Sequence, residues 1–147
     1  MTEIFLDTTY ESDFYQWTQQ QADLLRKGAL STLDVEHLIE EIDSMGRRDK
    51  GALRSYLLNV AMHLLKWQYQ PERRGIRWRL SIENGRDQIA WQIKDSPSLR
   101  PQLNELLADI YSSARRNAAG ETGLPLTTFP KTCPLTVEQI TGDWWPE

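Results

Sequence analysis

Between Leu53 and Leu65 apolar side chains recur every three or four positions: Leu53, Tyr56, Leu57, Val60, Ala61, Leu64 and Leu65. That spacing places them on one face of an α-helix. Leu58 and Met62 widen the face and leave a narrow polar stripe of Ser55, Asn59, His63, Lys66 and Gln70. A helix this apolar is expected at the centre of a bundle. Upstream, Leu38, Ile42 and Met45 form a stripe in phase with it, and Asp34 stands where an N-cap belongs, with Glu36 in the first turn. Residues 34–69 therefore read as one long helix with a charged waist at 46–51, or as two helices meeting there. Gly46 and Gly51 each lower helix propensity by about 1 kcal/mol at that waist. A long helix with a kinked or frayed waist is favoured, and Pro71 ends it.

Three further helices follow from the same patterning. The first spans 13–27, capped by Ser12 or Asp13, with Phe14, Trp17, Leu24 and Leu25 on one face, Gln21 between them, and Gly28 as its left-handed stop. Residues 1–11 form a polar leader. A helix over 76–94 carries Trp78, Ile82, Ile89 and Ile93. A fourth, over 99–119, carries Leu99, Leu103, Leu106, Leu107, Ile110, Tyr111, Ala114 and Ala118. Pro101 has no N–H, so Ser98 is expected as its N-cap, with Gly120 available at its end. From 121 the chain changes character, and four of its seven prolines fall there. An extended strap is expected, fastened by Leu124, Phe129, Trp144 and Trp145. It contains one short helix, with Thr136 and Gln139 as a capping box and Leu135 and Ile140 as a hydrophobic staple. The fold class is all-α: a bundle of four to five helices with a proline-rich C-terminal strap, forming a single domain over 1–147.

Composition fits this picture. At 147 residues, 39% hydrophobic and 26% charged, the chain is of ordinary globular type and needs no disulfide staple. The lone Cys133 fits a reducing compartment. No secretory signal and no membrane-length apolar run is read, so a cytoplasmic protein is expected. The net charge of −4 hides a partition. Residues 1–43 carry −8, residues 44–79 carry +7, and residues 80–147 carry −3. Acidic and basic faces are expected to pair within the fold or across a dimer.

Candidate chemistry is sparse. A carboxylate-bridged metal centre needs Glu-x-x-His pairs, and neither His37 nor His63 follows a glutamate at that spacing. Glu36, Glu40, Glu41 and Asp43 read as a solvated acidic face. Cys133 reads as a small contact under the strap. No phosphate-binding loop and no nucleophile elbow occurs. No cofactor and no metal are expected. The most concrete lead is a basic run of Lys66, Arg73, Arg74, Arg77 and Arg79 interleaved with Trp67, Tyr69 and Trp78, a pattern suited to an anion or a partner surface.

Read in order, several short segments resemble one family. They include Asp13-Phe14-Tyr15-Gln16-Trp17, Leu38-Ile39-Glu40-Glu41-Ile42, His63-Leu64-Leu65-Lys66-Trp67, Gln70-Pro71, Pro97-Ser98-Leu99, Glu121-Thr122-Gly123-Leu124, Phe129-Pro130 and Cys133-Pro134. Together, from about residue 8 to the end, they look like the bacterial family of domain of unknown function 29. The resemblance implies an all-α fold and no particular activity. The expected function is a non-enzymatic protein–protein interaction or regulatory module with a protein partner or self-association. Two alternatives stand beside it. One is a nucleic-acid-binding component, of mobile-element or toxin–antitoxin type, using the 66–79 run. The other is an enzyme with His63 and Glu40 or Glu41 as acid–base groups.

Overall fold

The computed structural model describes residues 9–147, so most of the polar leader lies outside the described residues. Among the described residues, after a helical turn at 9–12 where a polar leader was expected, five helices follow: α1 (Phe14–Lys27), α2 (Val35–Tyr69), α3 (Ile76–Asp95), α4 (Leu103–Thr122) and the short α5 (Val137–Thr141). Tight 3₁₀ turns separate them, and among the described residues there is no strand. The architecture is the all-α one read from periodicity.

The chain forms two compact units. The described part of the first is residues 9–48, namely α1 and the opening turns of α2. Asp13 caps α1 by accepting from the Gln16 N–H, and Gly28 ends it at φ 71°. Asp34 starts α2, its side chain accepting from the His37 N–H and its carbonyl from the Leu38 N–H. Trp17 is the one large apolar side chain buried in this unit among the described residues. The expected inward stripe of α2 is not buried here: Ile42 and Met45 are exposed. Tyr10, ahead of α1, and Trp17 of α1 pack onto the Asp34, His37 and Glu41 side of α2. That side lies about a quarter turn from the stripe, since successive helical residues are about 100° apart.

The second unit, Asp49–Glu147, holds the hydrophobic core. Leu53, Leu57, Val60, Ala61, Leu64 and Leu65 of α2 are fully buried and meet Ile82 and Ile89 of α3 and Leu106 and Ala114 of α4. α2 is helical without interruption through Gly46 and Gly51. Tyr69 is its last residue, and Pro71 opens the 3₁₀ turn that follows.

Two expected helix ends differ. Ser98 does not cap α4: residues Pro97–Gln102 form a 3₁₀ segment and α4 begins at Leu103. Two prolines four residues apart explain this, because each disfavours the α conformation in the residue before it. Nor does α4 stop at Gly120. It runs to Thr122 and ends on Gly123, at φ 75°. The strap then returns Phe129, Leu135 and Ile140 to the core, with Leu124, Trp144 and Trp145 half-buried against it. The Thr136–Gln139 capping box is formed.

α2 and α3 approach closely at Gly85, where an added Cβ would overlap Val60 Cγ2. Valine in a helix has essentially one rotamer, so it cannot step aside. Gly85→Ala is expected to destabilise by about 1–3 kcal/mol through overpacking, despite its propensity gain. A methyl group added at Gly46 or Gly51 would meet nothing within 4 Å. Gly46→Ala and Gly51→Ala are expected to stabilise by up to about 1 kcal/mol each. Urea unfolding of the three variants gives opposite signs if α2 is helical through the waist and tightly packed at Gly85.

Candidate functional site

Most of the basic run is engaged within the fold, and Arg74 and Arg79 both lie over the Trp67 ring, at 5.3 Å and 5.7 Å. Lys66 is buried, donates to Glu121 Oε1 at 2.7 Å, and sits 4.8 Å from the centroid of the Trp78 ring. Arg74 donates Nε to the Trp67 carbonyl at 2.6 Å and one Nη to the Glu147 carbonyl at 2.7 Å. Arg79 lies over Trp145 at 4.9 Å and Trp67 at 5.7 Å. Arg73 and Arg77 are exposed. Three of the five cations are thus engaged by the chain's own aromatic rings, carbonyls and carboxylate.

Arg86 is the cation that sequence reasoning missed. It lies on the α3 stripe with Ile82, Ile89 and Ile93 and is 8% exposed. It donates to three carbonyls of the strap: Nε to Ile140 at 2.8 Å, and Nη2 to Gln139 at 2.8 Å and Trp144 at 2.6 Å. Burial lowers its pKa, while Asp143 and Glu83 act the other way. The available signal was its spacing, since a charged side chain at a core position of an apolar stripe needs buried acceptors.

In the first unit, polar and aromatic groups converge on Asp34. Trp17 Nε1 donates to Asp34 Oδ2 at 2.9 Å, and His37 Nδ1 lies 2.7 Å from the same oxygen. The Asp34 N–H donates to Gln21 Oε1 at 2.8 Å. Burial pushes the Asp34 carboxyl upward, but the hydrogen bonds from His37 and Trp17 outweigh it and hold the group below its ordinary value. Tyr10 stacks on the His37 ring, centroids 3.8 Å apart, and donates to Glu41 Oε1 at 2.5 Å. That hydrogen bond, with burial after it, moves the Tyr10 hydroxyl up to about 12. Glu41 is therefore half-buried and engaged rather than part of a solvated face, whereas Glu40 is exposed and pairs with Arg47 at 3.5 Å.

The other candidates are likewise engaged by their neighbours. His63 is buried, and its Nδ1 donates to the Asn59 carbonyl at 2.8 Å. Burial lowers its pKa. The Cys133 thiol donates to the Leu135 carbonyl at 3.4 Å, and burial pushes its pKa up, away from thiolate character. Among the described residues no group of three or more His, Cys, Asp or Glu is set to hold a metal. Two open clefts flank α3 within the second unit. One, of about 320 Å³, is bordered by Glu83, Arg86, Asp87 and Trp145. The other, of about 410 Å³, is bordered by Tyr56, Trp91, Gln92 and Asp95. Neither gathers a nucleophile and a base.

What stands out is apolar surface. Among the described residues, eight of the twelve large hydrophobic side chains left exposed, Phe14, Tyr15, Leu25, Leu30, Val35, Ile39, Ile42 and Met45, belong to residues 9–48. Four of them run along α2 at intervals of four, three and three: Val35, Ile39, Ile42 and Met45, each 54–65% exposed. The mean step is near the 3.5 residues of a seam that packs against another helix. Among the described residues no helix is long and apolar enough to cross a membrane.

A family model described as domain of unknown function DUF29 matches residues 9–145. The chain belongs to that family, as the ordered segments indicated. No curated protein and no solved structure matches it.

Two outcomes follow from the buried polar groups. Arg86→Met would leave three strap carbonyls without their donor and is expected to cost about 2–4 kcal/mol. Limited proteolysis should then cut beyond residue 138 before the rest unfolds. His63 is protonated near pH 6.5 in an unfolded chain but only at lower pH when folded. Between those two values the unfolded chain binds the extra proton, so stability falls as pH drops below about 6.5 and stops falling on this account once the folded ring is itself protonated. His63→Gln should flatten that part of a stability–pH curve measured by urea titration.

Proposed function

We propose that this member of the domain of unknown function 29 family is a cytoplasmic, non-enzymatic protein–protein interaction module. Its docking surface is the exposed apolar face of the first unit, and its partner is an amphipathic helix. The observation that carries this reading is the imbalance of the first unit. Among its described residues it buries one large apolar side chain, Trp17, and exposes eight. A contiguous apolar patch flanked by charge is the usual mark of an interaction site. Helix-in-groove or helix-on-helix contacts read anchors at the spacing of Val35, Ile39, Ile42 and Met45. The engagement of Lys66, Arg74 and Arg79 by internal partners favours this reading over binding of an extended polyanion through the 66–79 run.

The test is site-specific photo-crosslinking in cells, with the reactive residue replacing Ile42, and replacing the exposed Ser112 of α4 as control. A discrete adduct is expected at Ile42 and not at Ser112. The crosslinked peptide should map to a helical segment with its own apolar stripe. Absence of any adduct at both Ile39 and Ile42 would overturn the reading.

A further inference from the structure

We infer that the helix docking on this face is the same segment of a second copy of the chain, laid antiparallel. The inference rests on the interaction reading above and names its partner. The charge of α2 reverses along the exposed stripe. Glu36, Glu40, Glu41 and Asp43 precede Ile42–Met45 or flank it, and Arg47 and Arg48 follow. A helix with one acidic end and one basic end is complementary to its own copy only when the two run in opposite directions.

Pairing about a two-fold axis near Ser44 sets Ile42 of each copy beside Met45 of the other. The acidic turn of each helix then lies along the Arg47–Arg48 turn of its partner. A parallel pairing would instead set acid beside acid and base beside base. A two-fold contact of this kind is isologous, so one stripe on one chain supplies both halves of the interface.

Glu41 is held by Tyr10, and Glu36, Glu40, Arg47 and Arg48 are the exposed charges left to do this. Arg47 makes only local contacts: 2.8 Å to Ser44 Oγ and 3.5 Å to Glu40 Oε1 within its own helix. Exposed pairs at that range contribute little and exchange readily for contacts across an interface. Four apolar side chains per copy make a small interface, so the dimer is expected to be concentration-dependent.

Sedimentation velocity of the full chain tests it, using three chains and one mixture. The natural chain is expected to dimerise at about 100 µM, where a small interface of this class associates. Glu36→Lys with Glu40→Lys, and separately Arg47→Glu with Arg48→Glu, should each raise the dimer Kd at least about tenfold. All four positions are exposed, and far-UV circular dichroism confirms that each variant remains helical. Mixed in equal amounts, the two variants should form a heterodimer, because each now offers the charge the other lacks. A natural chain that stays monomeric at that concentration overturns self-pairing. So does a mixture that fails to associate, and so does an unchanged dimer Kd in both variants, because reversing charges in a parallel pair leaves like facing like. The photo-crosslink at Ile42 separates this failure from failure of the interaction reading. An adduct of twice the chain mass supports self-pairing, and an adduct with a different protein overturns it while leaving the docking surface standing.

Discussion

The burial of α2 between Leu53 and Trp67 is the constraint on which the second unit depends. From Val60 to Trp67 every side chain is out of water, including His63 and Lys66. A helix covered on all sides must be reached by apolar residues from several elements, and α3, α4 and the strap each supply them. It also forces any polar group on it to find a buried partner. Lys66 finds Glu121 and the face of Trp78, and His63 finds the carbonyl one turn back. The strap is held by the same logic from α3, where Arg86 directs its donors at three carbonyls of a segment too irregular to satisfy them itself.

The first unit follows a different rule. Its cohesion among the described residues is aromatic and polar: Trp17 and Tyr10 against Asp34, His37 and Glu41. Directional contacts of this kind fix an arrangement without removing much apolar surface from water. Apolar burial contributes about 25 cal/mol per Å², and the described residues of the unit leave eight large apolar side chains exposed.

Periodicity made the fold legible where one face is buried. The Leu53–Leu65 stripe, the α3 and α4 stripes and the Thr136–Gln139 box were readable because core burial and capping leave patterns with a fixed spacing. The stripe Leu38, Ile42, Met45 carries the same spacing, yet it is largely exposed, because spacing identifies a face without saying what covers it. Ser98 and Gly120 misled as helix ends because each is locally plausible. The backbone decided otherwise through Pro97 and Pro101 at one end and through the left-handed Gly123 at the other.

The site was less legible for a related reason. In sequence, Lys66, Arg73, Arg74, Arg77 and Arg79 form a run. In the fold, the run crosses a helix end, a tight turn and a new helix start, and its members meet different partners. Lys66, Arg74 and Arg79 are drawn to rings and carbonyls, and Arg73 and Arg77 stay in solvent. Order along the chain carries directly into order in space where a single element holds it. The acidic-to-basic reversal at Glu36–Arg48 meets that condition, because α2 is helical throughout. Its charges keep their order along one axis, next to a stripe that nothing among the described residues of the first unit covers. Charge order along a helix is what gives an interface direction.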